Sequence, residues 1–475
     1  MNKANIRELI VDSLVEMERE SLFLSAVTGS VLDKYDHYPA RDKAFYKKVM
    51  DGTTEQRIRI DYILDLFLSK PVNKLKPYIR AILRMSVYQL LWMDSVPDRA
   101  VCSEAVSIVS SRGLSGLKGF VNGVLRNIAR NKDNISYPDR DVEPIRFLSV
   151  FYSWPEWTVR YLTDTYGIDT AEGILRASID ERPLSVRLRT SSEADTADLE
   201  KRWQDAGIVF MTDPYLPYMR RLEDYGSVKD IPGFTEGMFV IQDTASAFVS
   251  QLGVSGDESL ILDLCAAPGG KSIHAADVLC KLKSDPNAEL CKHDSSSGFR
   301  IVSCDISPDR CVRIRENIDR LGLGDHMIVR EQDATVSMEE FTGRADTVIA
   351  DVPCSGLGVA GHKPDIKYRV TPDDIDSLVS IQRRITDRAV DYVRPGGTLV
   401  YSTCTLMQSE NSEQAACICD RYGFEDITSD LIADRLPDID PGLADRSRIP
   451  GLPGIQILPG VWDTDGFYIA VLRKR

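Results

Sequence analysis

The sequence predicts an all-α bundle, then a small α+β module, then a doubly wound α/β domain. Apolar residues repeat at helical spacing through residues 1–135. Beyond residue 236, short apolar strands alternate with helices, which is typical of a parallel sheet covered on both faces. A chain of 475 residues is long enough for two to four domains. We therefore assign residues 1–135, 136–235 and 236–475 to the three regions.

The bundle consists of amphipathic segments separated by short breaks with proline or glycine, such as SKPVNK, DSVPDR and RGLSG. A polar stretch with two prolines, residues 131–144, predicts a linker. Pro155 then divides an aromatic-rich segment into two predicted helices. From Pro183, two predicted strands flank a helix at residues 194–207, which indicates a small α+β module that ends near residue 235.

The last region has the alternation expected of a doubly wound sheet. Its predicted helices include residues 308–322 and 376–393, and residues 284–298 form a polar insertion. Its predicted strands lie at 259–264, 301–305, 327–332, 346–351 and 397–403.

Charge is distributed unevenly along the chain. The 58 Lys and Arg against 72 Asp and Glu give a net charge of −14, which by itself argues against a nucleic-acid partner. Residues 1–135, however, hold 21 basic and 16 acidic residues, so the excess acid lies in the remainder. The densest basic stretch contains no acid, and its cationic residues are Lys70, Lys74, Lys76, Arg80 and Arg84. It predicts a polyanion-binding surface, with a solvated helix face as the alternative.

Several sequence features bear on location and assembly. The first 20 residues lack the apolar segment of a signal peptide, and no run of 18 apolar residues is present. The ten cysteines include no C-x-x-C pair, which argues against a zinc ribbon, and we expect all ten to be unpaired. We expect a cytoplasmic protein without a bound metal or membrane contact, and a monomer because no oligomerisation pattern is present.

The first chemical motif joins the strand at 259–264 to a helix. It reads Asp263-Leu-Cys-Ala-Ala-Pro-Gly-Gly-Lys-Ser272, and glycines at such a turn let a ligand approach backbone N–H groups at a helix N-terminus. The ending GGKS also suggests a phosphate-binding loop of a nucleotide hydrolase. Cys265 replaces the first glycine of that motif and Pro268 stiffens the loop, which disfavours this alternative.

Further polar residues end the following predicted strands. Asp305 and Asp333 end the second and third strands, where the ribose and base of a nucleoside cofactor would lie. Asp351 and Cys354 end the fourth, and Cys404 ends the fifth. Either cysteine alone is as well explained as a small buried side chain. Two thiols in polar turns at neighbouring strand ends instead predict a reactive pair.

Two thiols, a carboxylate and a nucleoside-bearing cofactor suit methylation of cytosine at C5. That carbon is a weak nucleophile until a thiolate adds at C6 and makes the ring enamine-like. A carboxyl group near N3 and N4 stabilises the adduct. A second thiol assists release after the C5 proton has left.

The motifs DLCAAPGGKS, DVPCSGLGV and YSTCTL closely resemble those of the NOL1/NOP2/Sun family of RNA cytosine-C5 methyltransferases. The resemblance extends to GMFVIQDTAS, KPDIKY and DGFYIAVL. GFVNGVLRNI, in the bundle, resembles the NusB-like RNA-binding domain that the Sun/RsmB subfamily carries. Members of that subfamily act on 16S ribosomal RNA of the small subunit.

The resemblance implies a Rossmann-like class I methyltransferase domain that uses S-adenosyl-L-methionine. Cys404 would be the nucleophile, Cys354 would assist release, Asp351 would contact the cytosine, and Lys271 would act in the active site. The residues implied to hold the cofactor are Cys265, Ala266, Ala267, Pro268, Gly269, Gly270, Lys271, Asp305, Asp333 and Asp351. The basic stretch from Lys70 to Arg84 would bind RNA.

The sequence departs from the family pattern at two places. Gly361-His362 stands where the family often has an arginine pair, and PLSVRLRTSS stands where relatives commonly read R-V-N. Two other functions stay open on the residues alone: the same chemistry on transfer RNA, and a noncatalytic NusB-like RNA-binding or antitermination protein.

Overall fold

The computed structural model describes residues 5–180, 182–283 and 298–475, with the side chains of residues 282–283 excepted. It divides into two compact units. The first holds the chain through Asp180 together with Ala360–Arg369, and the second holds the rest. The predicted three-part division of the chain stays a prediction. The predicted polar insertion at 284–298 lies, except for Gly298, outside the described residues.

The first unit is all-helical in its described residues, which the periodicity of residues 1–135 predicts for that part of it. Its helices are α1 (Ile6–Arg19), α2 (Leu24–Lys34), α3 (Ala40–Glu55), α4 (Arg57–Phe67), α5 (Pro77–Trp92), α6 (Asp98–Ser111), α7 (Lys118–Asn131), α8 (Pro144–Tyr152), α9 (Glu156–Tyr166) and α10 (Ile168–Ala177). The break between α8 and α9 falls at Pro155, as predicted.

Helix α5 is the centre of this unit because it is apolar on nearly all sides. It contacts α1, α3, α4, α6 and α7, and Ile82, Leu83 and Val87 are fully buried. Helix α3 approaches it closely at Gly52, where an added Cβ would lie 2.0 Å from the Tyr88 ring. A larger residue at position 52 would therefore force the two helices apart.

The short segment Ala360–Arg369 packs into the helical unit, although it follows residues of the second unit in sequence. Asp365 accepts a hydrogen bond from the Leu24 backbone N–H, and the Tyr368 hydroxyl bonds to the Glu55 carbonyl. Lys367 is buried over the Trp154 ring, and burial lowers its pKa to about 7 against the opposing effect of Glu55. The KPDIKY motif is therefore an anchored segment of the helical unit.

The second unit contains two sheets in its described residues. The elements of the smaller one are β1 (Leu184–Leu188), α11 (Glu193–Asp205), β2 (Val209–Thr212), β3 (Met219–Glu223) and β4 (Phe239–Ile241). Its strand order is β2-β3-β1-β4, and it is antiparallel throughout. Strands β1 and β2 and helix α11 were predicted, whereas β3 and β4 were not. Trp203 and Phe239 fill the core under this sheet.

The strands of the larger sheet are β5 (Leu260–Asp263), β6 (Arg300–Asp305), β7 (Met327–Glu331), β8 (Ala345–Asp351), β9 (Val393–Thr403), β10 (Phe424–Asp426), β11 (Ile455–Ile457) and β12 (Phe467–Lys474). Their order is β10-β12-β9-β8-β5-β6-β7, with β11 paired to β12. Strands β5 to β9 run parallel to one another, whereas β12 pairs antiparallel with β9, β10 and β11. The five predicted parallel strands are confirmed, and the antiparallel edge was not predicted.

Helices cover both faces of this sheet. They are α12 (Thr244–Gly253), α13 (Gly270–Lys283), α14 (Pro308–Leu321), α15 (Pro372–Tyr392), α16 (Ser412–Tyr422), α17 (Thr428–Arg435) and α18 (Pro441–Arg446). Successive residues of β5, Ile261 and Leu262, belong to two separate apolar clusters. Both faces are therefore buried, which explains the continuous apolar runs in the sequence.

Eight of the described cysteines are free thiols, and Cys280 is disulfide-bonded. The expectation that all ten cysteines are unpaired is therefore wrong for Cys280. Among the described residues, no three His, Cys, Asp or Glu side chains gather in a way that could hold a metal ion. Within the same residues, no helix has the length and apolar character needed to cross a membrane.

Candidate active site

Motif residues from four parallel strands gather at one edge of the large sheet. Asp263 ends β5, Asp305 ends β6, Asp351 ends β8 and Cys404 directly follows β9. Because these strands are parallel, their carboxyl ends lie on the same side, which is where open α/β sheets bind ligands. The sequence correctly placed these residues, whereas their roles stay predictions.

The two motif cysteines face each other. The Sγ atoms of Cys354 and Cys404 are 3.4 Å apart, and both residues are partly buried. The contact with Cys404, together with burial, raises the pKa of Cys354 well above its usual value. Cys354 is therefore a protonated thiol near neutral pH, with its hydrogen available to the neighbouring sulfur.

Lys271 and Asp351 form an ion pair beside the thiols. The Lys271 Nζ donates to Asp351 Oδ2 at 2.7 Å, and the Ser402 hydroxyl donates to the other oxygen at 2.8 Å. Burial lowers the pKa of Lys271, but Asp351 outweighs it and raises the pKa above its ordinary value. A negative charge on Cys404 acts in the same direction. The ammonium therefore favours an anion at Cys404.

The glycine-containing loop after β5 is held by backbone hydrogen bonds to the neighbouring strands. Leu264 N–H donates to the Ile349 carbonyl at 3.0 Å, and Ala266 N–H donates to the Cys304 carbonyl at 2.8 Å. Gly269 has a φ of +102°, a conformation that side-chain-bearing residues rarely adopt. Burial keeps the pKa of Cys265 well above its usual value, so this thiol is not a nucleophile.

The two downstream acids are held in place around this loop. Asp305 accepts from Ser307 N–H at 3.0 Å and from Ala267 N–H at 3.3 Å. Asp333 accepts from the Thr335 N–H and hydroxyl at 2.8 and 2.7 Å, and these bonds lower the pKa of Asp333. An ionised carboxylate has acceptor capacity beyond two such bonds.

Two exposed apolar side chains lie next to these acids in sequence. Ile306 follows Asp305 and is 63% exposed, and Val336 lies three residues after Asp333 and is 55% exposed. Sequence reasoning missed both, because an isolated apolar residue in a loop gives no signal. A loop at a helix N-terminus, two fixed acids and nearby apolar surface fit a nucleoside cofactor.

A close contact between two glycines positions Cys404. The Gly358 N–H donates to the Cys404 carbonyl at 3.0 Å, and the Gly466 N–H donates to the Gly358 carbonyl at 2.9 Å. A Cβ on Gly358 would lie 2.1 Å from the Gly466 oxygen. The glycines in the GLGV and DGFY motifs are therefore required by packing.

Sequence reasoning also missed a buried polar group behind the thiols. Glu410 and Asn411 directly precede α16, and both side chains are fully buried. Glu410 bonds to Ser355, and Asn411 bonds to the Thr405 carbonyl. The only sequence signal is the pair of polar residues soon after YSTCTL, and a surface loop gives the same signal.

The five cationic residues of the basic stretch fall into two groups in the fold, exposed lysines and ion-paired arginines. Lys70, Lys74 and Lys76 are exposed. Arg80 pairs with Glu18 at 2.9 Å, and Arg84 pairs with Asp61 at 2.7 Å. The two arginines therefore have acidic partners from α1 and α4, although no acid lies within the stretch itself.

Helix α7 offers a second cationic face that sequence reasoning did not single out. Arg126 and Arg130 are exposed, and α7 contains no acidic residue. Within the described part of the chain, neither arginine has an ion pair. The available signal was the absence of acids from an amphipathic helix.

The fold and site define a methyltransferase domain joined to a NusB-type helical domain. A family model described as 16S rRNA methyltransferase RsmB/F matches residues 251–473, and the NusB family model matches residues 4–130. The chain is 33% identical over 487 residues to the "Probable ribosomal RNA small subunit methyltransferase B" of Bacillus subtilis (strain 168), with 100% of both chains covered. The chain therefore belongs to the RsmB/F methyltransferase family.

Other comparisons give a second relative and two solved structures that share the fold. A Vibrio cholerae relative named "Ribosomal RNA small subunit methyltransferase B" is 30% identical, with 92% of this chain and 90% of that one covered. The solved structure of PH0851 has the same overall fold, with a TM-score of 0.76 at 21% identity and 99% of each chain covered. The structure of NSun6 from Pyrococcus horikoshii with SFG has a TM-score of 0.52 at 21% identity, over 68% of this chain and 99% of that one.

Proposed function

We propose that this protein transfers a methyl group from S-adenosyl-L-methionine to C5 of a cytosine in 16S ribosomal RNA. The observation that carries the proposal is the pair of sulfurs of Cys354 and Cys404, 3.4 Å apart beside the Lys271–Asp351 ion pair. Two adjacent thiols with a carboxylate and a cation suit nucleophilic activation of a pyrimidine ring followed by release.

In this mechanism the Cys404 sulfur adds to C6 of the cytosine, and the C5–C6 double bond is consumed. Lys271 favours the thiolate that starts the reaction. Asp351, ordered by Lys271 and Ser402, accepts a hydrogen bond from the cytosine amino group and stabilises the adduct. When bound, the cofactor supplies an electrophilic methyl group at C5.

Release needs solvent water to take the proton from C5 and the bond between C6 and Cys404 to break. The elimination restores the double bond and returns the electron pair to the Cys404 sulfur. Cys354 is protonated near neutral pH because its pKa is raised, so its thiol can donate a hydrogen bond to the departing sulfur. This assistance to release is the role we propose for Cys354.

The cofactor site in this proposal is the loop Cys265 to Lys271 with Asp305, Asp333 and Asp351. The loop offers backbone groups at the start of α13, and the acids accept hydrogen bonds from the ribose and base. The proposed RNA surface is the helical unit, where the exposed Lys70, Lys74 and Lys76 and the α7 arginines lie. We propose secondary parts for Arg80 and Arg84, since both have acidic partners.

We favour ribosomal RNA over transfer RNA as the substrate because relatives that match the chain over nearly its full length are named ribosomal RNA small subunit methyltransferase B. The test is to incubate the protein and radiolabelled cofactor with one of three substrates: small ribosomal subunits, naked 16S RNA or transfer RNA. Each substrate is prepared from cells that lack the gene for this protein. We expect label at C5 of one cytosine in 16S RNA, located by bisulfite sequencing. Label in transfer RNA alone would overturn the substrate, and no label in any RNA would overturn the activity.

A further inference from the structure

Glu410 has a buried carboxyl group that takes no part in the proposed mechanism. Its side chain is 0% exposed, and burial raises its pKa. Burying an acid is unfavourable unless hydrogen bonds replace its water. Glu410 has four such bonds, two to each carboxylate oxygen.

Three of the four donors come from the two loops that carry the motif cysteines. These cysteine loops are residues 353–355 after β8 and residues 404–405 after β9. Oε1 accepts from the Ser355 N–H at 2.8 Å, and Oε2 accepts from the Ser355 hydroxyl at 2.5 Å and the Thr405 hydroxyl at 3.2 Å. Ser355 directly follows Cys354, and Thr405 directly follows Cys404. One carboxylate therefore binds the residue next to each thiol.

A fourth donor completes the arrangement from α15. The Gln382 Nε2 donates to Glu410 Oε1 at 3.1 Å and to the Pro353 carbonyl at 3.0 Å. Cys354 therefore lies between two residues, Pro353 and Ser355, that are both fixed by this group. The single Thr405 hydroxyl hydrogen is shared between two acceptors, the Ser355 hydroxyl oxygen at 2.5 Å and Glu410 Oε2 at 3.2 Å.

Asn411, the next residue, bonds to the Cys404 side and, through Nδ2, to Gln456 Oε1 at 2.7 Å. Within the described residues, its side-chain hydrogen bonds do not reach the other cysteine loop. Its Nδ2 donates to the Thr405 carbonyl at 3.0 Å, and its Oδ1 accepts from the Thr403 hydroxyl. Glu410 is thus the one of the two that connects both loops. The four bonds to Glu410 come from donors on three separate segments, so this connection restrains both loops.

We propose that Glu410 is the positioning residue that holds the Cys354 and Cys404 sulfurs at their working separation. It acts through Ser355 and Thr405, not by contact with substrate. The consequence for catalysis rests on the proposed function, whereas the consequence for thiol spacing does not. A displacement of about 1 Å in a catalytic group commonly costs about 10²-fold in rate.

The test is the isosteric variant Glu410→Gln, which replaces one accepting oxygen by an N–H₂ group that faces donors. Glu413→Gln is the matched control, because Glu413 is exposed in the first turn of α16. For Glu410→Gln we expect a fall in kcat of about 10- to 100-fold with little change in KM for RNA or cofactor. The control should behave as the wild type.

A second readout measures thiol spacing without any catalysis. Phenylarsine oxide bridges two close thiols: two As–S bonds form, and the oxygen leaves as water with both thiol protons. Peptide mass spectrometry then gives the fraction of protein bridged at Cys354 and Cys404. We expect efficient bridging in the wild type and in Glu413→Gln, and at least tenfold weaker bridging in Glu410→Gln.

Folding is checked by thermal unfolding of each variant. If Glu410→Gln is unfolded at the assay temperature, Thr405→Val decides: it removes the Thr405 hydroxyl contacts to Glu410 and Ser355, leaves the other three bonds to Glu410, and should also weaken bridging. Equal kcat and equal bridging in Glu410→Gln and Glu413→Gln would overturn the inference. A wild type that bridges but methylates no RNA would instead overturn the proposed function, and loss of bridging in Glu410→Gln would still support the inference.

Discussion

The cysteine loops and the basic stretch of the helical unit are both visible in the sequence, but their local environments differ. At the cysteine loops, Lys271 and Asp351, both motif residues, pair with each other. In the basic stretch, Arg80 and Arg84 pair with Glu18 and Asp61 from other helices. A run of like charge in the sequence is therefore not a run of unpaired charge on the surface.

The difference follows from how each region is assembled. Parallel strands bring their carboxyl ends to one edge, so a motif at a strand end is brought to the site by topology. A helix face is completed by whichever neighbours pack against it, and these come from distant sequence. Arg84 and Asp61 are 23 residues apart, and Arg80 and Glu18 are 62 apart.

The largest effect is expected at the proposed nucleophile. Cys404→Ala should lower methyl transfer by about 10⁴-fold or more, because no other group replaces the sulfur that activates the ring. Cys417→Ala, a change at an exposed free cysteine, should leave transfer unchanged. Radiolabel incorporation into 16S RNA measures both. Substantial residual transfer by Cys404→Ala would mean that the strand-end thiols do not act as predicted.

The next effect is on stability and comes from Asp263. Burial raises its pKa from 3.8 to about 7, so the folded state binds this proton more tightly than the unfolded state. The free energy of unfolding should therefore fall by about 3 kcal/mol from pH 5 to pH 8 through this group. Asp263→Asn cannot titrate and should lack this loss, as measured by urea unfolding of the cofactor-free protein. Identical pH profiles for the two proteins would show that Asp263 is ionised throughout.

Removal of the second thiol should trap the reaction. Cys354→Ala should lower turnover by about 10²-fold and accumulate a protein–RNA adduct, because release from Cys404 loses its assisting donor. Denaturing gel electrophoresis with labelled RNA detects the adduct, and the double variant with Cys404→Ala should show none. Normal turnover without adduct would leave Cys354 with a packing role only.

The smallest effects are expected in the basic stretch, where the exposed lysines should affect RNA binding and the paired Arg84 should affect stability. Changing Lys70, Lys74 and Lys76 to Gln should weaken 16S RNA binding and lower the slope of log affinity against log salt by about 2 to 3. Changing Arg84 to Gln should leave that slope nearly unchanged and instead lower the free energy of unfolding by about 1–2 kcal/mol, because Asp61 loses its partner. Filter binding across a salt series and urea unfolding measure the two quantities. A larger change in slope for Arg84 than for the lysines would reverse the contrast.

Much of the fold was predictable because its signals are local. The amphipathic helices, the five parallel strands and the break at Pro155 each depend on a few adjacent residues. Strand β3 was missed because it reads MRRLE, whose charged residues hide the apolar pattern of a strand, and β4 was missed because it has only three residues. The antiparallel strand β12 was missed because its apolar run does not reveal the direction of its partner.

The sequence by itself determined the positions of the motifs and the succession along the chain of the strands that carry them. It therefore also determined that the motifs meet at the edge formed by the carboxyl ends of those strands. It could do so because strand polarity and glycine turns are local properties of the chain. Only the tertiary structure decided that the Cys354 and Cys404 sulfurs lie 3.4 Å apart and that Glu410 binds both of their loops. It also decided that Arg80 and Arg84 are paired and that Ala360–Arg369 packs into the helical unit. These outcomes depend on contacts between residues far apart in the chain, and no local pattern encodes them.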